Sequence, residues 1–180
     1  MEIHSTKIAD VRIIEPRVFV DSRGFFSETF SQQRYADAGI HGPFVQDNWS
    51  HSTQGTLRGM HYQIDQTQGK LVQVLRGRIF DVVVDLRRSS PTCGKWVGVE
   101  LSCENKRQLH VPPGLAHGFL VLSEEADFLY KCSDYYAPQH ERTLLWNDPK
   151  VAIEWPLEGE PVLSEKDEQG LIFDQAELFD

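Results

Sequence analysis

Arg58, His61 and Lys70 fall within thirteen residues of one another in "GTLRGMHYQIDQTQGKLVQVLRG", residues 55–77. A neutral imidazole facing an interior with a guanidinium and an amine nearby suits proton abstraction. The same three side chains could instead form a solvated strand face. Strand parity bears on the choice, because residues 57, 59, 61 and 63 share one face and 58, 60 and 62 the other. Met60 and Tyr62 then point away from His61, while His61 and Gln63 can face a polar cavity. Strict alternation sends Arg58 to the wrong side. Gly59 is a plausible bulge that would turn Arg58 back toward His61. The sequence therefore predicts that Arg58, His61 and Lys70 open onto one cavity, with an irregularity near Gly59.

Other residues carry weaker signals. Lys70 opens "KLVQVL" and reads equally as a solvated strand-start lysine. Arg23 and Glu28, beside Phe25 and Phe26 in "DSRGFFSETF", suit a phosphate and a polar ring, or form a surface ion pair of little consequence. Tyr130 alternates with Phe128 and Cys132, so its phenol can point inward, where it needs a partner. His117 in "PPGLAHGF" is a hydrogen-bonded core histidine or a substrate contact with equal weight. Asp167 in "SEKDEQG" is distant and ambiguous by itself.

The elements that must position these residues read as strands. "VRIIEPRVFV", "GFFSETF", "FVQDNWS", "KLVQVL", "RIFDVVVDL", "KWVGVELS", "RQLHVP", "HGFLVL" and "DFLYKCSDYY" are short β-branched and aromatic runs punctuated by turn residues. "LVQVLRGRIFDVVVDL" reads as a hairpin turning at Gly77. "SQQRYADAG" is the one clear internal helix, with Ser31 as N-cap and Gly39 closing it, and a second short helix starts at Ser164. Many strands without βαβ alternation predict an all-β antiparallel sandwich or barrel of jelly-roll type, as one domain over residues 1–180. The carboxyl-terminal third is less regular and either covers the surface or completes a site at one mouth.

Composition bounds the partners. The 180 residues carry a formal charge of −9, which disfavours nucleic acid but leaves a single anionic metabolite open. No apolar run reaches the ~20 residues that span a bilayer. "MEIHSTKIAD" lacks the basic and apolar regions of a secretory leader, and three cysteines without C-x-x-C spacing suit a reducing compartment, so a cytoplasmic protein is expected.

Two resemblances sharpen this reading. Gly55 and His61, then Pro112, Gly114 and His117, resemble the two cupin metal motifs, but Gln63 stands where the second histidine belongs and no glutamate follows at the expected spacing. Two imidazoles are too few for a transition metal, so the fold is expected without the metal. Further, "DSRGFFSETF", "FVQDNWSHS", "GTLRGMHYQ", "QGKLVQVLRGRIFDVVVDLR", "SPTCGKWVGVELSCENKRQLHVPPGLAHGF" and "FLYKCSDYYAP", followed by "WNDP", "IEWP" and "LSEKD", look like the dTDP-4-dehydrorhamnose 3,5-epimerases across nearly the whole chain.

That resemblance implies a metal-free, cofactor-free cupin-type jelly roll, with a few short peripheral helices, working as a homodimer. It implies inversion of dTDP-4-dehydro-6-deoxy-D-glucose at C3 and C5 in dTDP-L-rhamnose biosynthesis. By the same resemblance His61 is the base, Asp167 orients its ring, Tyr130 is the acid on the opposite face and Lys70 the cation near the C4 oxygen. Gln46, Asn48, Arg58, His117, Glu141 and Lys166 match substrate contacts, and Arg23 and Glu28 match contacts that reach across the dimer. Met60 and Tyr62 stand where Leu and Phe are familiar. Two alternatives remain: a mono-epimerase acting at C3 or C5 alone, and a non-catalytic nucleotide-sugar-binding protein on the same barrel.

Overall fold

A computed structural model describes residues 1–180. The strands are β1 (Glu2–Ser5), β2 (Arg12–Glu15), β3 (Val18–Asp21), β4 (Gly24–Ser27), β5 (Gln46–Thr53), β6 (Leu57–Gln63) and β7 (Lys70–Arg76). They continue with β8 (Arg78–Asp85), β9 (Trp96–Ser102), β10 (Gln108–Val111), β11 (Leu115–Val121), β12 (Glu125–Cys132) and β13 (Glu141–Thr143). Two short helices, α1 (Gln32–Asp37) and α2 (Glu165–Glu168), lie outside the sheets. None of the helices is long and apolar enough to cross a membrane.

The strands form a six-stranded sheet, β1-β2-β10-β7-β12-β5, and a five-stranded sheet, β13-β6-β11-β8-β9, with β3 and β4 as a separate hairpin. Every strand pairing is antiparallel. Val72, Val74 and Phe128 from the first sheet pack against Ile79, Val83, Val99 and Phe119 from the second, which places the main core between the sheets. Alternation then sends Val82, Val84, Met60 and Tyr62 to the outer face of the second sheet, where Val151, Phe173 and Ala176 of the carboxyl-terminal segment cover them. The expected jelly-roll sandwich is the observed arrangement.

The expected hairpin at Gly77 is not. β7 pairs with β10 and β12, while β8 pairs with β11 and β9 in the other sheet. A single residue separates the two strands, and a hairpin loop needs at least two. Gly77, at φ +74°, instead carries the chain from one sheet to the other. Both helices form where expected, with different caps. Ser31 occupies the N-cap of α1 without a side-chain hydrogen bond, whereas Ser164 Oγ accepts the Asp167 amide.

Candidate active site

One end of the sandwich opens as a cavity of about 760 Å³. His61, Lys70, Tyr130 and Asp167 all line it. So do Gln46, Asn48, Arg58, His117, Glu141 and Lys166. The cavity thus gathers ten of the twelve expected site residues. Arg23 and Glu28 lie elsewhere on the chain: Arg23 sits on the exposed β3–β4 hairpin paired with Asp21 at 2.6 Å, and Glu28 pairs with Arg34 at 2.8 Å.

The bulge at Gly59 brings Arg58 and His61 to the same side. Opposite β6, His117 pairs with His61 and Phe119 with Arg58, so two residues of β6 span what one residue of β11 spans. Gly59 takes the extra place at φ +120°. A Cβ there would come within 2.5 Å of the Gly118 Cα, so the strands can approach this closely only with glycine at both positions. Arg58 is held in its turned pose by Nε, which donates to Ser52 Oγ at 2.9 Å.

His61 and Asp167 form a dyad. The imidazole Nε2 lies 2.6 Å from Asp167 Oδ1. Asp167 Oδ2 accepts the Ser164 hydroxyl at 2.6 Å, and Oδ1 also accepts the Gly59 amide at 3.3 Å. Burial works to raise the Asp167 pKa, but the bonds from His61, Ser164 and Gly59 together hold it below its ordinary value. An ionised carboxylate must be met by a proton on Nε2, which leaves Nδ1 as the unprotonated nitrogen. Nδ1 makes no hydrogen bond within the protein. Burial lowers the His61 pKa, Asp167 opposes that, and the charges of Lys166 and Lys70 add to it. His61 is therefore a neutral base at neutral pH.

The carboxyl-terminal segment places Asp167. Before α2, Leu57 donates to the Val162 carbonyl and Val162 to the Gly55 carbonyl. After it, Leu145 donates to Leu171 and Leu171 to Thr143. These two pinned points flank the helix and lay it across the mouth of the cavity beside β6. The segment both covers the outer face and completes the site.

Lys70 is the unpaired cation. Its ammonium has no carboxylate within 4.0 Å and no hydrogen bond to the protein. Burial lowers its pKa, which the charges of Cys132, Asp81 and Glu141 oppose. The Tyr130 phenol also lacks a protein partner, and burial pushes its pKa up to about 12. It is a protonated donor throughout the physiological range. Lys166 is engaged differently, donating to Glu141 Oε1 at 2.9 Å while the Tyr136 hydroxyl donates to Oε2 at 3.0 Å.

One residue behind the cavity wall escaped the sequence reading. Asp81 is fully buried on the inward face of β8, with both oxygens 3.0 Å from His117 Nε2. Burial raises its pKa, against the pull of His117 and Lys70. An acid between apolar residues in the middle of "RIFDVVVDL" was the available signal. His117 is thus a hydrogen-bonded core histidine that also lines the cavity. Gln63, placed where a cupin ligand would stand, bonds the backbone of Gln66, Tyr135 and Ala137 and so fixes the rim loop.

Comparison with known proteins gives the family. The sequence profile of the dTDP-4-dehydrorhamnose 3,5-epimerase family matches residues 5–175. The chain belongs to this epimerase family. It is 58% identical over 173 residues, 96% of both chains, to the dTDP-4-dehydrorhamnose 3,5-epimerase of Pseudomonas aeruginosa. It is similar to the crystal structure of dTDP-6-deoxy-D-glucose-3,5-epimerase from Legionella pneumophila in complex with dTDP-4-keto-L-rhamnose, at TM-score 0.95 and 53% identity, covering 98% of this chain and 94% of that one. A 3'-monoepimerase from Streptomyces bikiniensis in complex with dTDP-quinovose is also similar, at TM-score 0.90 and 36% identity, covering 95% and 87%. The cupin-type jelly roll expected of this epimerase family is the fold observed.

Proposed function

We propose that this chain, acting as one catalytic unit over residues 1–180, epimerises dTDP-4-dehydro-6-deoxy-D-glucose at C3 and C5 to dTDP-4-dehydro-L-rhamnose in dTDP-L-rhamnose biosynthesis. The His61–Asp167 dyad facing an unpaired Lys70 is the observation that carries the mechanism. A C–H beside a ketone has a pKa of ~19 against ~6.5 for imidazole, a mismatch on the order of 17 kcal/mol. His61 Nδ1 can take that proton only if the oxyanion developing at C4 is stabilised. Lys70 supplies that positive charge. Its lowered pKa also makes the ammonium a stronger donor toward the developing enolate.

Inversion needs a proton delivered to the face opposite His61. Tyr130 projects from β12 in the other sheet, and its phenol supplies that proton. The C4 ketone activates both neighbouring carbons, so one base and one acid serve C3 and C5 in turn. Asp167 holds the imidazole in the tautomer that bares Nδ1 and stabilises the imidazolium that forms. These roles rest on the geometry and on family membership. A metal or cofactor has no step in this scheme.

The pH dependence follows from the same groups. kcat/KM should fall on the acid side as His61 protonates, at a pH below 6.5 because burial lowers its pKa. The alkaline limb belongs to Lys70, below 10.5, before Tyr130 titrates at about 12. A pH profile with its acid limb above 7 would contradict this assignment.

The similarity to a monoepimerase favours a second reading, inversion at one carbon only. Turnover in deuterated water decides between them: label and inversion at both C3 and C5 are expected, and label at one carbon alone would establish the monoepimerase.

Arg23 and Glu28 are proposed to act in the cavity of a second copy, in a homodimer. The exposed Phe19, Val20, Phe25 and Phe26 on the β3–β4 hairpin support this, since apolar side chains so clustered favour burial against a partner. Sedimentation should give a dimer, and a monomer that turns over at full rate would remove the assignment.

A further inference from the structure

Asp167 is 3% exposed, and its two carboxylate oxygens have different partners. Oδ1 takes His61 Nε2 at 2.6 Å and the Gly59 amide at 3.3 Å. Oδ2 takes the Ser164 hydroxyl at 2.6 Å and nothing else. The charged groups around the dyad are engaged elsewhere or turned away. Lys166 of α2 donates to Glu141 of β13, Arg58 of β6 donates to Ser52, and Lys70 of β7 makes no ion pair. Glu165 and Glu168, the other acids of α2, are exposed. One hydroxyl therefore holds the far side of the carboxylate.

Ser164 is also the N-cap of α2, and distance separates the two roles. The Asp167 amide lies 3.3 Å from Ser164 Oγ but 3.0 Å from the Ser164 carbonyl, which also accepts the Glu168 amide at 3.0 Å. The carbonyl thus closes the first turn, and the hydroxyl adds little as an acceptor. As a donor it stands at the length of a charge-assisted O–H···O⁻ bond.

The proton count of the dyad makes that donor matter. An ionised Asp167 accepts from Nε2 and bares Nδ1. A protonated Asp167 would donate to Nε2 instead, and the ring proton would then sit on Nδ1, the atom that must receive the substrate proton. Burial favours the protonated acid, and the bonds from His61 and then Ser164 oppose it. Resting on the proposed reaction, we infer that Ser164 is a positioning residue for the base: its hydroxyl holds Asp167 as the ionised partner of Nε2 and so keeps Nδ1 free. The gate on catalysis then extends one residue beyond the dyad.

The test is the pH profile of three variants. Ser164→Ala should lower kcat about 5- to 20-fold with KM within about twofold, and raise the acid limb of kcat/KM by about half a pH unit or more. The sign follows from the bond: it favours the ionised carboxylate, so its loss lets the dyad take up a proton at higher pH. Ser164→Asp keeps a capping oxygen but has no proton to give and repels Asp167, so kcat should fall further and the limb rise further. Ser164→Thr keeps the hydroxyl and should restore both. A serine that only capped α2 would leave the limb in place and leave Ser164→Asp at the wild-type rate. Either result, or a Ser164→Thr variant as slow as Ser164→Ala, would overturn the inference. The ¹⁵N titration of the His61 ring in Ser164→Ala reads the same upward shift without turnover. If wild type does not turn over the keto sugar, the proposed reaction fails, and that titration still decides the role of Ser164.

Discussion

Replacing His61 with Gln lowers kcat about 1,000-fold or more and abolishes deuterium uptake at C3 and C5 together. Glutamine places its amide nitrogen near the position of Nε2, so the bond to Asp167 and the local fold are retained. What disappears is Nδ1, the only unprotonated nitrogen that the dyad turns toward the cavity. General base catalysis contributes on the order of 10²–10⁴ to a rate, and here there is no second base to substitute for it. Both exchange reactions must fail together, because one imidazole serves both carbons. Exchange retained at one carbon would show that a second base serves it. A non-catalytic binding protein predicts no turnover in either form, so wild-type turnover disposes of that alternative.

Lys70→Met lowers kcat about 100- to 1,000-fold with a much smaller change in KM. The thioether chain keeps the volume and removes the charge. Removing one group aimed at a developing oxyanion has an effect of that size, and it falls on the transition state rather than on the ground state. A second readout separates charge from packing. The Lys70 charge lowers the His61 pKa, so its loss should move the acid limb of kcat/KM upward. If Lys70 only filled the start of β7, kcat would hold and the limb would not move.

The parts of this site visible in the sequence are those set by local rules. Strand parity placed Met60 and Tyr62 in the outer core and His61 inward, and Gly59 marked the bulge that turns Arg58. The helix start at Ser164 was legible because a cap is a short-range signal. Gly77 misled because a glycine between two apolar runs signals a change of direction without saying which sheet receives the next strand. His61 and Asp167 are 106 residues apart, and no spacing rule joins residues so distant. Only the family resemblance paired them.

Asp81 was missed for a related reason. It lies on a strand that was correctly expected, at a position whose face follows from parity. Nothing in the sequence says which inward polar residues find a protein partner. That depends on the opposing strands: His117 reaches Asp81, whereas no side chain reaches Ser50 of β5.

The most direct measurement is the ¹⁵N chemical shift of the two His61 ring nitrogens between pH 5 and 8. The account predicts the proton on Nε2, an unprotonated Nδ1 at neutral pH, and titration at a pH below 6.5. A proton on Nδ1 at pH 7, or a titration above 7, would contradict His61 as the base that begins the reaction.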